Sequence, residues 1–304
     1  MTVAPRPAAI ALVTAREARD ADADLPPLFA ALTRAGAAVR VVDWDDASTQ
    51  WSHFDLALLR STWDYSTRLP EFLSWAEHAS EATHLLNPLS MVRWNTDKHY
   101  LGELMNADVR TVPTTFVEPG DGATQAVNEF LVQHASTDFV VKPAVSSGSR
   151  DAQRYGRRQL AAAAAHVQRL LDANRSVVLQ PYLDRVDADG ETALIYFGGT
   201  FSHAIRKGPL LRRGEGPTRD LFAAEEITAR VPKLDELRTG ERALGAIPFA
   251  IPLYARVDLI RDADAVPRVL ELELTEPSLF FAYAAGSAER FAALLLDYPV
   301  NNGA

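Results

Sequence analysis

The sequence predicts an α/β fold that begins with a parallel-sheet domain. Through residue 60, apolar β-rich runs and one helix follow the order β-α-β-β, which is typical of an open parallel sheet. Further along the chain, strand pairs are joined by short polar or glycine turns, which indicates antiparallel hairpins. The chain has 304 residues and is 47% hydrophobic, enough to bury the cores of two or three domains.

The composition excludes several classes of protein. With 31 basic and 40 acidic residues, the formal net charge is −9, which disfavours non-specific binding to nucleic acid or anionic lipid. There is no cysteine, so disulfides, thiolate nucleophiles and cysteine-ligated zinc are excluded. No apolar run is long enough to span a bilayer, and the stretch AAIALV is better explained as a first strand than as a secretory signal. We therefore expect a cytoplasmic protein without membrane or nucleic-acid partners.

The first strand, residues 8–14, precedes a helix that begins after Asp24 and ends at Gly36. Ala38–Val42 and Phe54–Leu59 are the next two strands. Later elements follow from periodicity and capping signals: strand Val112–Val117, helices Thr124–His134, Gln159–Ala173 and Leu234–Leu244, and a last helix, Ala288–Asp297, capped by Ser287.

The segment RSTWDY, residues 60–65, follows the third strand. Ligands of open parallel sheets bind beyond the carboxyl ends of the strands. Arg60 could hold a carboxylate there, while Ser61 and Trp63 could line a small polar pocket. The alternative is a capping turn before a helix at Leu69–Ala79, although the segment has more hydrogen-bond donors than a turn requires.

Two lysines lie near segments that could bind an anion. Lys98 begins the second part of a helix interrupted at Asn95 and Thr96, where a lysine taken singly is a solvated residue. Strand Asp138–Lys142 ends in a lysine and leads to a loop whose amides and hydroxyls can surround an anion, formed by Ser146, Ser147, Gly148 and Ser149. The loop is not a Walker motif, because no GK[ST] follows. A β-hairpin with a serine-rich turn is the alternative.

The next strand, Ser176–Gln180, is halted by Pro181. This leaves the backbone groups of Tyr182 and Leu183 free for a planar ligand such as a purine edge. Three acidic residues follow in a loop that is either a ligand site or merely solvated: Asp187, Asp189 and Glu191.

A hairpin with a Gly198–Gly199 turn joins Thr192–Phe197 to Phe201–Arg206. Arg206 and Lys207 end its second strand. The loop at residues 208–220 is either a mobile lid over phosphates or plain surface, and it carries Arg212, Arg213 and Arg219.

The last hairpin, Tyr254–Ser278, contains the strands LYARVDLI and RVLELEL. Strand alternation places Arg256 and Asp258 on one face. A register that sets Asp258 opposite Glu271 also sets Arg256 opposite Glu273. Carboxylates packed in this way require divalent cations, an arginine or protons, and oxygen ligands suit Mg²⁺. The alternative is an ordinary hairpin whose polar face lies in solvent.

Taken in order, these motifs resemble the ATP-grasp superfamily of carboxylate–amine ligases: a helix lysine, a strand-end lysine with a small-residue loop, a QPYL hinge, a basic strand end, RxD and ExN. The resemblance covers nearly all of the chain. It implies an ATP-grasp fold, in which an N-terminal parallel-sheet α/β domain precedes two α+β domains that clasp ATP. The implied domains are residues 1–90 on the substrate side, a central domain at 91–184, and a C-terminal domain with the metal site at 185–304.

The resemblance also implies which residues bind the nucleotide. Lys98 and Lys142 correspond to ligands of the α- and β-phosphates, and the serine loop to the flap over them. Gln180 corresponds to the residue that reads the adenine amino group, with Tyr182–Leu183 along the ring edge. Glu191 corresponds to the ribose ligand.

The remaining motif residues correspond to the catalytic and metal positions. Lys207 or Arg206 corresponds to the γ-phosphate contact, and Arg256 to the residue that steadies the transferring phosphoryl group. The implied cofactors are ATP and two Mg²⁺ ions, with metal ligands at Asp258, Glu271 and Glu273. The last of these is asparagine in the usual motif, which leaves open how the second ion is held.

Whole segments, among them RSTWDY, FVVKPAVSSGSRD and LELELTEPSLFF, resemble the D-cycloserine synthetases of actinomycetes, ATP-grasp enzymes of antibiotic biosynthesis. That resemblance implies closure of O-ureido-D-serine into D-cycloserine through an acyl phosphate. It implies a pocket for this small amino-acid-like partner at Arg60, Ser61, Trp63, Thr275 and Ser278. The alternatives are an intermolecular amino-acid or peptide ligase of the glutathione-synthetase kind and a non-catalytic nucleotide-binding module. Whether the chain forms a homo-oligomer is left open.

Overall fold

Three β-sheets organise the part of the protein that the structure, a computed structural model, describes: residues 6–214, 216 and 226–299. The N-terminal part contains β1 (Ala9–Thr14), α1 (Leu25–Arg34), β2 (Ala38–Asp43), β3 (Leu56–Ser61), α2 (Leu69–Ala82) and β4 (His84–Leu86). Its strands are all parallel, in the order β2-β1-β3-β4. Helix α1 packs on one face and α2 on the other, which explains why β3 is apolar and buried throughout.

The central part contains α3 (Leu89–Asn95), α4 (Tyr100–Asn106), β5 (Thr115–Val117), α5 (Ala123–Gln133), β6 (Asp138–Pro143), β7 (Gln153–Gly156), α6 (Leu160–Asp172) and β8 (Val177–Pro181). Its antiparallel sheet has the order β5-β8-β6-β7. Helices α5 and α6 pack together over this sheet and form a hydrophobic core with it.

The C-terminal part contains α7 (Val186–Asp189), β9 (Glu191–Phe197), β10 (Thr200–Lys207), β11 (Ile227–Arg230), α8 (Leu234–Gly245), β12 (Tyr254–Arg261), β13 (Pro267–Glu273) and α9 (Ser287–Leu296). Its sheet is also antiparallel, in the order β11-β10-β9-β12-β13. One core joins α1 and the N-terminal strands to α9 and β9, so the N-terminal and C-terminal sheets are packed as neighbours.

The sequence analysis missed or misplaced several local features. Strands β4 and β11 were not predicted. Asp187 and Asp189 lie in the short helix α7 rather than in a loop. Ser287 is the first residue of α9 and not its cap; the residue before the helix is Gly286, and the Ser287 hydroxyl donates to the Phe281 carbonyl at 3.3 Å.

None of the helices in the described residues has both the length and the apolar composition needed to cross a bilayer.

Candidate active site

A cavity of about 410 Å³ lies between the central and C-terminal sheets, and the segment after β3 closes one end of it. Its wall contains most of the residues selected from the sequence: Trp63, Lys98, Lys142, Ser146, Ser147, Gly148, Ser149, Gln180, Tyr182, Leu183, Glu191, Lys207, Arg256, Asp258, Glu271, Glu273 and Ser278. Residues that are distant in the chain therefore meet in one place.

Strands β12 and β13 pair in the predicted register, with Arg256 opposite Glu273 and Asp258 opposite Glu271. The Arg256 guanidinium donates to both Asp258 oxygens, at 2.9 and 3.0 Å, and to Glu273. Burial alone would raise the pKa of the Asp258 carboxyl, but the charges of Arg256 and Lys207 outweigh burial and hold that pKa below its usual value. The Arg256 side chain is thus fixed in place from two strands.

Glu273 behaves differently from Asp258. Removal from water, together with the nearby charges of Glu271 and Asp258, raises the pKa of the Glu273 carboxyl to about 7 despite its contact with Arg256. The acidic residue that replaces the asparagine of the usual motif therefore takes up a proton near neutral pH when only the protein surrounds it.

Each lysine of the wall approaches the carboxylates from a different element. Lys98 lies in the break between α3 and α4, where its ammonium group contacts Glu271 at 2.9 Å and the Ser146 hydroxyl at 3.0 Å. It is buried rather than solvated as its position in the sequence alone suggested. Lys207 ends β10 and lies 2.7 Å from Asp258 and 3.2 Å from Glu191.

Lys142 is the penultimate residue of β6, and no partner within ion-pair distance is found for it among the described residues. Its burial lowers the pKa of the ammonium group to about 8. Among the described residues of the wall, Lys142 is therefore a cation that is free to meet an incoming anion.

The serine loop between β6 and β7 forms a flap that contacts the N-terminal part. The Ser147 hydroxyl donates to the Trp63 carbonyl at 2.7 Å. Gly148 and Ser149 both have φ of +59°, so the backbone turns sharply back on itself there. The loop thus lies across the mouth of the cavity beside Lys98 and Lys142.

The opposite end of the cavity is an apolar slot between the two sheets. Val140, Ile260 and Leu270 line it together with the hinge residues Tyr182 and Leu183. Gln180 is buried at its edge, and its side-chain amide donates to Thr114 at 2.9 Å. Two apolar faces and a polar edge are the features that a purine ring requires.

The loop after β10 begins over this slot, since its residues 209–211 belong to the cavity wall. The Arg213 guanidinium donates to both oxygens of Asp138 on β6, at 2.6 and 2.8 Å. The first part of the loop after β10 therefore covers the slot and contacts the central sheet, and it is not merely exposed surface. Arg219, with residues 215 and 217–220, lies outside the described residues.

Four selected residues are not on the wall. Arg206 faces away from Lys207 and donates to the Asp189 carbonyl at 3.0 Å, so Lys207 is the better placed of the two for the γ-phosphate. Arg60 and Ser61 are still inside β3 and fully buried. Thr275 is also buried, with its hydroxyl 3.3 Å from the Asn95 side-chain oxygen. Of the expected substrate pocket, only Trp63 and Ser278 reach the cavity.

The structure adds two residues that the sequence analysis did not select. The hydroxyl of Tyr65 donates to the carboxyl of Glu276, and both side chains are buried in the cavity wall. Burial and the nearby charge of Glu273 raise the pKa of Glu276 to about 8. Both residues stand in segments that were quoted, RSTWDY and TEPS, but strand alternation ends at Glu273 and could not orient Glu276.

The acidic hairpin provides the hard oxygen donors that Mg²⁺ prefers when it also binds phosphate oxygens. Within the described part of the chain, no three acidic or histidine side chains converge as a ready-made metal cage. Lys98, Lys207 and Arg256 balance the carboxylates instead. This donor set fits an ion that arrives with a nucleotide and completes its coordination with phosphates.

Two sheets that enclose a cavity with an apolar slot, buried lysines, a small-residue flap and an acidic hairpin define the ATP-grasp class. Solved structures agree on this fold. The ATP-grasp ligase PsnB, complexed with Mg and ADP, superimposes with a TM-score of 0.63 at 17% identity, over 96% of this chain and 99% of that one. The D-alanine–D-alanine ligase of Bacillus anthracis gives a TM-score of 0.68 at 15% identity, over 95% and 96%.

More similar relatives identify the family. The cycloserine biosynthesis protein DcsG of Streptomyces lavendulae is 40% identical over 95% of this chain and 98% of its own length. The crystal structure of D-cycloserine synthetase DcsG superimposes with a TM-score of 0.88 over 94% of this chain and 98% of that one. The family model for the N-terminal domain of D-cycloserine synthetase DcsG matches residues 10–87. The chain belongs to the DcsG family and is an ATP-dependent ligase.

Proposed function

We propose that this ligase phosphorylates the carboxylate of O-ureido-D-serine with ATP and closes the product into the D-cycloserine ring. Membership of the DcsG family supports the choice of substrate. One observation of the site supports the chemistry: Arg256, held by Asp258 and Glu273, shares a single cavity with Lys98, Lys142 and Lys207. Positive groups aimed at one spot stabilise the charge that develops during phosphoryl and acyl transfer.

The chain would bind ATP with its adenine in the apolar slot and its phosphates against the lysines. Lys98 and Lys142 would hold the inner phosphates under the serine flap, and Lys207 the γ-phosphate. Asp258, Glu271 and Glu273 would hold two Mg²⁺ ions, which neutralise phosphate charge when bound. The cytoplasmic location and any homo-oligomer stay predictions.

The proposed reaction has two bond-forming steps and one hydrolysis. The γ-phosphoryl group moves to the substrate carboxylate, which gives an acyl phosphate and ADP. The nitrogen that bears the ureido carbonyl then attacks the acyl carbon; the C–N bond forms, phosphate leaves with the electron pair, and the nitrogen loses its proton. One water then hydrolyses the carbamoyl group from the ring nitrogen and releases it as ammonia and carbon dioxide. With this step the atoms of substrate and D-cycloserine balance. Arg256 would stabilise the negative acyl oxygen between these steps.

The test combines purified protein with ATP, Mg²⁺ and O-ureido-D-serine, and measures both phosphate and D-cycloserine. We expect phosphate release that depends on the substrate. Asp258→Asn should reduce turnover about 100-fold or more, because Lys207, Arg256 and the metal ions lose a shared anchor. The matched control is Asp172→Asn, the same change on the exposed end of α6.

Three outcomes would contradict the proposal. An absence of phosphate release above background would exclude this substrate. Phosphate release only after a second amine is added would identify an intermolecular ligase. Full turnover by the Asp258→Asn variant would exclude the catalytic role of the hairpin.

A further inference from the structure

The acidic residues of the cavity wall differ in how the protein balances their charges. Five have a lysine or arginine within ion-pair distance: Asp24 with Arg60, Glu191 and Asp258 with Lys207, Glu271 with Lys98, and Glu273 with Arg256. Glu276 has none among the described residues, although it is only 7% exposed. A buried acid without a cation is unfavourable unless it is protonated or a ligand provides the positive charge.

Hydrogen bonds hold both the backbone and the carboxyl of Glu276 in place. Its backbone carbonyl accepts a hydrogen bond from the Trp63 indole at 3.3 Å, and its carboxyl accepts one from the Tyr65 hydroxyl. The next carbonyl, that of Pro277, accepts from the buried Arg60 at 3.1 Å. The stretch from Arg60 to Tyr65 therefore anchors the backbone at Glu276 and contacts its carboxyl at the cavity surface, and this arrangement gives Arg60 a positioning role beneath the pocket.

The same loop also contacts the arginine of the acidic hairpin. Arg256 donates to the Ser278 carbonyl at 3.2 Å, two residues beyond Glu276. Two residues of extended chain span at most about 7 Å, so the backbone at Glu276 lies within about that distance of the backbone that contacts Arg256. An α-amino acid could therefore place its carboxyl group beside Arg256 and its ammonium group beside Glu276.

We propose that Glu276 is the receptor for the α-ammonium group of the substrate. This inference rests on the proposed function, because it requires an amino-acid substrate whose carboxyl group reacts near Arg256. The ligand would supply the cation that the wall lacks at this position. The raised pKa of Glu276 is consistent with this role. The protein alone disfavours the charged carboxylate, and a bound ammonium ion would favour it.

The test is a binding cycle between one side chain and one substrate group. Dissociation constants are measured with Mg²⁺ and a non-hydrolysable ATP analogue present, for O-ureido-D-serine and for its desamino analogue, 3-(ureidooxy)propanoic acid. We expect Glu276→Gln to weaken binding of the amino compound about 100-fold and that of the desamino compound by less than about threefold. Glu276→Asp, which keeps the charge, should retain part of the preference for the amino compound.

The controls separate this inference from folding and from the proposed function. Glu129→Gln, the same change on an exposed position of α5, should alter neither constant, and nucleotide binding should be unchanged in all variants. Equal weakening for both compounds, or no weakening for either, would overturn the role of Glu276. Failure of the wild type to bind O-ureido-D-serine would instead overturn the proposed function.

Discussion

Lys142 shows how a single buried charge can prepare a site for an anion. Most wall cations are occupied by carboxylates, whereas Lys142 lies at the end of a buried strand with its pKa lowered to about 8. Phosphate groups favour the charged ammonium form, so nucleotide binding should raise this pKa. In the unliganded protein this lysine therefore loses its proton at a lower pH than an ordinary lysine does, and bound phosphate should keep it charged to a higher pH.

This arrangement predicts a pH-dependent affinity for MgATP. Below pH 8 Lys142 is already protonated, so this lysine should add no pH dependence of its own to the affinity. As the pH rises above 8, the free protein loses a proton that the complex retains, so binding should weaken by up to tenfold per pH unit. Lys142→Arg should abolish the dependence, because guanidinium stays charged. The dissociation constants for MgATP are measured for wild type and variant from pH 6.5 to 9.5. The same pH dependence in both proteins would contradict the prediction.

At the scale of elements, the junction between α7 and β9 depends on one glycine. Gly190 has φ 70° and ψ −175°, a conformation that is essentially restricted to glycine. A Cβ there would lie 2.5 Å from the Lys207 carbonyl. Because that carbonyl belongs to the neighbouring strand, neither backbone can move without displacing the Lys207 and Glu191 side chains from the cavity wall.

Gly190→Ala is therefore expected to lower the free energy of unfolding by roughly 3 kcal/mol and to reduce ATP turnover as well. The matched control is Gly245→Ala at the end of α8, where a Cβ meets nothing within 4 Å and φ is not positive. That change should be neutral or slightly stabilising. Thermal denaturation and phosphate release on both variants make the comparison. A Gly190→Ala protein as stable and active as the control would show that the junction is not strained.

The sequence analysis was most successful where a short-range rule determines the geometry. Strand alternation and turn position predicted the pairing of Arg256 with Glu273 and of Asp258 with Glu271, and the structure confirms that register. The rule gave no information about burial. Taken singly, Lys98 is predicted to be a solvated helix residue, and only the ATP-grasp resemblance placed it at a phosphate site; in the structure, the break before α4 turns it into the cavity.

Tertiary contacts explain the failures. Arg60 was expected beyond the end of a strand, but β3 continues to Ser61 and keeps Arg60 inside the sheet, where Asp22 and Asp24 face it at 3.6 Å. The short strands β4 and β11 have too few residues for a periodic signal, and pairing with β3 and β10 forms them. Rules based on a few neighbouring residues cannot predict these contacts, because they join residues that are distant in the chain.

At the scale of the whole molecule, the hydrophobic cores divide the protein differently from the sheets. One core is shared by the N-terminal and C-terminal parts, whereas α5, α6 and the central sheet have a core of their own. Helix α4 packs with the C-terminal sheet, and its Tyr100 hydroxyl accepts a hydrogen bond from the Leu272 amide at 3.0 Å. The division into three domains stays a proposal. From the cores, we propose that the N-terminal and C-terminal sheets open together and the central sheet separately.

Asn87 provides the test of these cooperative units. Its buried side chain donates to the carbonyls of Tyr254 and Leu274, both at 2.9 Å, and accepts from the Leu253 amide at 2.7 Å. Asn87→Ala would remove these three hydrogen bonds, and each buried group that is left unsatisfied costs about 1–3 kcal/mol. Hydrogen exchange should then show similar losses of protection in the N-terminal and C-terminal sheets and little change in β6 and β8.

The opposite pattern should come from Val167→Ala, which opens a cavity in the core beneath the central sheet. Protection from exchange should fall in β6 and β8. The amides of the N-terminal and C-terminal sheets, which share a different core, should keep their protection. A similar loss in all three sheets from both variants would mean that the protein opens as one unit. In that case the central sheet could not move independently to admit the nucleotide, and the serine flap and the loop after β10 would have to open the cavity by themselves.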